Sequence, residues 1–347
     1  MARMSRRDFL KVAGISAAGV ILAEAGCAPQ PSPAPSPTRN NSPILTEAAL
    51  NAPSAPTSTS SPAATTSPTR SQPPSPTADQ AYLAVARGAD PASITQAALA
   101  ALGGIERFVK PGQDVIIKPN MCVDYHPPEY AVTTNPIVVA SLVTLCLGAG
   151  AKRVRVMDSP FGGTAEGAYT ISGIAEAVKA AGGEMEIMSS FKYEQFEIPQ
   201  GKDIKAWDFY RDVMETDVLI NVPIAKHHSL ARLTLGGKNM LGVIKSANQI
   251  HSNLGQRIAD LVSAIRPSLT VVDAVRILVA HGPTGGSLND VQEKNTIIAS
   301  HDIVAADAYA ATLFNKTGAD IAYVKAAAKM GLGTLDLKGI RIEEVSV

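Results

Sequence analysis

Two kinds of hydrophobic pattern alternate along most of this chain. Short, largely apolar runs occur at Tyr82 to Ala86, Val115 to Ile117, Val154 to Val156, Val218 to Val222, Leu269 to Val272 and Thr296 to Ala299. Each is too short for a helix and rich in branched residues, so each reads as a buried strand. Longer stretches between them carry helix start and stop signals. Asp90-Pro91 caps a helix reaching about Phe108, and Thr134-Asn135-Pro136 opens one that closes at Gly148-Ala149-Gly150. Further helices are expected over Ile171 to Ala181, Asn253 to Ile265, Ile303 to Asn315 and Ala322 to Lys329. Met185 to Met188 adds a strand, and Ile340 to Val345 an edge strand. Such alternation implies crossover connections. The expected fold is α/β, a mostly parallel sheet with helices on both faces, as one domain or two lobes.

The first 79 residues follow neither pattern. Ser5-Arg6-Arg7-Asp8-Phe9-Leu10-Lys11 resembles a twin-arginine export signal. The apolar stretch Val12 to Leu22 is too short and too weakly apolar for a stable membrane span. Basic residues before it and small residues after it fit a signal peptide over residues 1–27. Two cleavage points compete. Ala23-Glu24-Ala25 fits ordinary signal peptidase; Ala25-Gly26-Cys27 resembles the end of a lipobox, which would lipidate Cys27, although Glu24 stands where that motif usually has Leu. Residues 28–79 are almost all Pro, Ser, Thr, Ala, Asn and Gln. They hold too little apolar surface to offset ordering entropy, so a disordered spacer is expected. These features point to an exported protein, periplasmic or at the cell surface, touching a membrane only through its signal or a lipid. The export machinery is then one partner. Residues 80–347 form the folded part.

Composition narrows the function classes. The chain is 46% hydrophobic despite its polar linker, which suffices for a sizeable core. Lys and Arg number 31 and so do Asp and Glu, and no aromatic-basic stripe is present, which argues against a nucleic-acid partner. Beyond Cys27 stand only Cys122 and Cys146. Two cysteines fall short of the four ligands an iron–sulfur cluster typically takes, so no cluster is expected from this chain alone. A disulfide between them is open in an oxidising compartment, but Cys146 lies among apolar helix positions and reads better as a buried thiol.

In an open parallel sheet, ligands bind beyond the carboxyl ends of the strands. Chemistry is therefore sought just after each run. Lys118-Pro119-Asn120 follows the second run, Asp158-Ser159-Pro160 the third, Lys226-His227-His228 the fourth, Asp273 the fifth, and Ser300-His301-Asp302 the sixth. Gly236-Gly237-Lys238-Asn239 looks like a phosphate cradle, where glycine lets backbone N–H groups approach an anion. Each has an ordinary alternative: Asp after a strand is most often a cap or turn former, and Gly-Gly a tight turn. Taken together, Lys118, Lys226 and Lys238 would hold a carboxylate or phosphate with Asn120, Gly236, Gly237 and Asn239. His227, with Asp273 or Asp158, would do acid–base work. His227 and His228 are adjacent and face opposite ways in extended chain, and His227 is expected to face the site. His227, His251 and His281 with Asp273 could bind a metal, though at no recognised spacing.

Val115 to Asn120, Thr133 to Pro136, Asp158-Ser159-Pro160, Asn221 to His228, Gly237 to Gly242, Val271-Val272-Asp273 and Ser300-His301-Asp302 with Asp307 together resemble domain-of-unknown-function family 362. The resemblance spans about residues 110 to 335. Many members of that family carry a ferredoxin-like segment of clustered cysteines, which this chain lacks. A distant likeness to the lactate racemase group is carried by no motif that assigns chemistry to a residue. The resemblance implies no settled reaction. The expected function is binding or conversion of a small anionic ligand by an exported α/β protein, the alternative being a tethered, non-catalytic solute-binding lipoprotein.

Overall fold

The structure, a computed structural model, describes residues 75–77 and 80–347. The expected signal peptide, the lipidation of Cys27 and nearly all of the linker lie outside the described residues. Residues 80–347 belong to one compact unit.

In chain order the principal elements are β1 (Leu83–Arg87), α1 (Pro91–Ala101), β2 (Asp114–Pro119), α2 (Pro136–Gly148), β3 (Arg153–Val156), α3 (Ala165–Ile171), α4 (Ile174–Ala180) and β4 (Glu184–Met185). A hairpin of β5 (Tyr193–Glu197) and β6 (Ala206–Tyr210) follows, then α5 (Arg211–Glu215), β7 (Val218–Val222), β8 (Ile224–His228) and β9 (Arg232–Thr234). The chain continues through α6 (Gly236–Asn239), α7 (Leu254–Ile265), β10 (Leu269–Leu278), β11 (Val291–Ser300), α8 (Ile303–Thr312), α9 (Ala322–Lys329) and β12 (Ile342–Ser346).

The main sheet runs β12-β1-β11-β10-β7-β2-β3-β4, and β8 joins β10 and β9 off that path. Along the path only β11 runs against its neighbours; the other strands share one direction. Both faces are covered. Val115, Ile117, Val218, Ile220 and Val271 pack with α1, α2 and α4 in one core. Ile116, Leu219, Val272 and Ile298 pack with α7, α8, α9 and the hairpin residues Phe196 and Phe209 in another. Neighbouring strand residues point to opposite faces, so a sheet buried on both sides needs apolar residues at every position. That is why the strands read as largely apolar runs.

Local chemistry sets the helix ends. Asn135 Oδ1 accepts from Ile137 N at 2.9 Å, with Pro136 in the first turn of α2. Asp302 Oδ1 accepts from Val304 N at 2.8 Å and Ala305 N at 2.9 Å to cap α8. Several boundaries differ from expectation. The helix expected over Ile171 to Ala181 is two, because Gly173 at φ 69° breaks the chain between α3 and α4. Helix α1 ends at Ala101, before two glycines at positive φ, Gly103 and Gly104. Strands β10 and β11 are each ten residues long, extending past the expected runs into polar sequence. Strands β5, β6, β8 and β9 have no apolar run of their own; they form as two hairpins, β5 with β6 and β8 with β9, and β8 also pairs with the distant β10.

Candidate functional site

A cavity of about 480 Å³ opens where β2, β3 and the β7–β8 segment end. Lys118, Asn120, Asp158, Lys226, Lys238 and Asn239 all line it. They come from β2, the β3 end, β8 and α6, brought to one edge by the shared strand direction.

Their roles differ. Lys118 is fully buried; its Nζ donates to Pro119 O at 2.9 Å and Asn239 Oδ1 at 2.8 Å and is ion-paired with Asp158 Oδ1 at 2.7 Å. These partners tie Lys118 into the wall of the site. Burial pulls its pKa down, and the Asp158 carboxylate opposes that. Burial pushes Asp158 up, against Lys118 and a hydrogen bond from Met121 N to Oδ2 at 2.7 Å. A Cβ on Gly242 would fall 2.0 Å from Asp158 Oδ1 and 2.7 Å from Lys118 Nζ, so the pair requires glycine above it.

From this pair a network of amides reaches Lys226. Asn239 Oδ1 accepts from Lys118 and, at 3.0 Å, from Asn120 Nδ2; its Nδ2 donates to Asn221 Oδ1 at 2.8 Å. Asn120 Oδ1 accepts from Lys226 Nζ at 2.9 Å. Lys226 also donates to Val132 O at 2.6 Å, which leaves one of its three protons uncommitted. Lys238 stands apart. It has no hydrogen bond or ion pair among the described residues. Burial, then the charges of Lys226 and Lys118, bring its pKa down to about 8.

Four expectations are corrected. His227 does not line this cavity: its Nδ1 accepts from Gly282 N at 3.1 Å, and it lines a separate depression with Arg232 and Lys316. His228 lines the cavity instead, because the period-two alternation along β8 puts Lys226 and His228 on the same side. Asp273 is not at a strand end but inside β10, and it is a structural tie. Its oxygens accept from Asn135 N at 2.7 Å and Val275 N at 3.0 Å, and burial raises its pKa to about 6. Gly236 and Gly237 do form a cradle of N–H groups, but the anion in it is the protein's own. Asp307 accepts from Gly236 N at 2.6 Å and Gly237 N at 2.9 Å, and burial raises its pKa to about 7. Ser300-His301-Asp302 lies at the opposite edge, since β11 is antiparallel and Ser300 pairs with Leu83 at the start of β1.

The four residues weighed as metal ligands do not gather. Among the described residues no group of three His, Cys, Asp or Glu could hold a metal ion. His281 instead meets Asp290 at 2.8 Å. Cys122 and Cys146 are both free and buried; Cys122 lines the cavity, and burial raises the Cys146 thiol to about 12. Sequence reasoning missed the placement of His228 and the structural parts played by Asn221 and Gly242. His228 Nδ1 accepts from Leu230 N and Ala231 N, both at 3.2 Å, so the ring proton sits on Nε2. Burial, then Lys238 and Lys226, lower its pKa to about 3 and keep it neutral. No helix among the described residues is long and apolar enough to cross a membrane.

The model of a domain of unknown function, DUF362, matches residues 115–312, and the chain belongs to that family. A thylakoid-associated protein, sll1697, from Synechocystis sp. is 28% identical over 243 residues, covering 67% of this chain and 72% of that protein. The lactate racemase apoprotein of Thermoanaerobacterium thermosaccharolyticum aligns with a TM-score of 0.42 at 12% identity, covering 63% of this chain and 54% of that one.

Proposed function

We propose that this member of the DUF362 family is exported and binds or converts a small carboxylate or phosphate in the cavity at its carboxyl strand ends. One observation carries the reading. The cavity is lined by three lysines and a single carboxylate, Asp158, which is already committed to Lys118. Lys226 and Lys238 face it with donors to spare and no acid to balance them. An anion between them would restore neutrality and fill the open hydrogen bonds. The Lys118–Asp158 pair and the two asparagines position Lys226 and frame the cavity wall.

Titration calorimetry with small carboxylates and inorganic phosphate tests this. Lys226→Gln is expected to weaken binding by about 1.5–3 kcal/mol, the worth of a charged hydrogen bond. Equal affinity in the variant and the native protein would sink the reading. Export rests on Ser5-Arg6-Arg7-Asp8-Phe9-Leu10-Lys11. With Arg6 and Arg7 both changed to Lys, cell fractionation should find the protein retained in the cytoplasm; unchanged secretion would refute export by this route.

A further inference from the structure

We propose that Lys238 forms a Schiff base with a small 2-oxo acid whose carboxylate is received by the Lys226 ammonium. The inference rests on the anion-binding reading and names the substrate class for it.

Lysine becomes a nucleophile when its nitrogen keeps a free lone pair, which requires desolvation or a neighbouring positive charge and no acceptor holding its protons. Lys238 meets these conditions and Lys118 does not. Lys118 is held by two hydrogen bonds and by the Asp158 carboxylate. Lys238 lines the same cavity with no hydrogen-bond or ion-pair partner among the described residues. The charges of Lys226 and Lys118 act on it from within the site. With a pKa lowered to about 8, it offers an uncharged amine near neutral pH; at pH 7 that form is roughly a tenth of the molecules, against less than one in a thousand for a free lysine.

The rest of the cavity suits the other end of the substrate. Lys226 is held in place by Asn120 and Val132, with one proton uncommitted. A carboxylate docked there would hold the adjacent carbonyl carbon in the cavity that Lys238 also lines. The nitrogen lone pair attacks that carbon, a C–N bond forms, and the carbonyl oxygen takes a proton to give a carbinolamine. Loss of that hydroxyl, with a second proton, as water then gives the C=N bond. Both protons that leave the amine depart with the oxygen, and nothing is oxidised or reduced. The protons come from the amine itself, so the oxygen needs only a hydrogen-bond donor that keeps its own proton. His228 lines the cavity with its proton on Nε2. Apolar walls from Met121, Leu241 and Ile244 limit the water that would reverse the condensation.

The test is reductive trapping on the full chain. The protein is incubated with pyruvate and cyanoborohydride, which reduces imines, and modified peptides are mapped by mass spectrometry. One reduced adduct is expected on the Lys238 peptide, formed well before any surface lysine reacts. Lys238→Arg should abolish it with the thermal transition retained. Lys226→Gln should slow trapping of pyruvate by about tenfold or more beyond its effect on uncharged propanal, which loses only the influence of the Lys226 charge on the Lys238 amine. Adduct spread evenly over surface lysines would overturn the proposal, whether or not any variant folds. Propionate, which has no carbonyl, separates the two readings. If propionate binds in calorimetry and pyruvate is not trapped at Lys238, the covalent step falls and the anion site stands. If propanal is trapped as fast as pyruvate and propionate does not bind, the anion site falls and the oxo-acid assignment with it.

Discussion

Lys118 and Lys238 line one cavity, one fully buried and the other half-buried, and their amines are treated in opposite ways. Lys118 is fully buried, with two hydrogen-bond acceptors, a carboxylate at 2.7 Å and a glycine above to make room. Lys238 has none of these. A buried charge with partners holds its neighbours in place; a partly desolvated charge without partners costs stability and persists for another reason. Amino acid type and proximity to a strand end are the same in both. Only the surrounding acceptors separate the positioning lysine from the candidate ligand-binding one.

The sharpest way to break this contrast is to remove each amine in turn. Lys118→Met should destabilise the fold by about 3–5 kcal/mol, because it strands Asp158 as an unpaired buried charge. Denaturant unfolding measures this. A loss below about 1 kcal/mol would mean that the pair contributes little and that Lys118 is as free as Lys238.

Lys238→Met should do the reverse, raising stability by about 0.5–2 kcal/mol at pH 7 by removing a desolvated charge with no partner. The sign of its pH dependence follows from the shift. The folded-state pKa, about 8, lies below the unfolded value near ~10.4. Between these values the unfolded chain binds the proton and the folded one does not, so native stability rises with pH across that window. The advantage of Lys238→Met should therefore shrink above pH 8 and vanish above about pH 10. Unfolding curves at a series of pH values would show this. A destabilised variant, or a pH-independent difference, would reveal a partner for Lys238 and remove the contrast.

Much of the fold was legible in the chain. Six apolar runs became strands, and the caps at Asp90 and Asn135 formed where expected; Asp302 took the ordinary alternative of a cap. The misses share one cause. Strand β8 is polar and follows Pro223, and β9 is three residues long; neither has an apolar run of its own, and they form by pairing with each other and, for β8, with the distant β10. The candidate site was legible in part. Lys118, Asn120, Asp158, Lys226, Lys238 and Asn239 reach one cavity because parallel strands put their carboxyl ends on one edge. Ser300 to Asp302 do not, because strand direction cannot be read from an apolar run, and β11 is reversed.

What the chain determined by itself was therefore the list of residues at strand ends and the two-faced sheet that carries them. Both follow from local pattern: continuous apolar strands, capped helices and turn residues between. What only the tertiary structure decided was which partner each of those residues has. Gly236 and Gly237 offer N–H groups in any tight turn, but that the anion they meet is Asp307, 70 residues away, is a matter of how α8 packs on α6. His227 and His228 differ by one position, and the pleat of β8 sends one into the cavity and the other out of it. The charge on a lysine is written in the sequence; whether it is spent inside the protein depends on acceptors that long-range packing brings within hydrogen-bond reach.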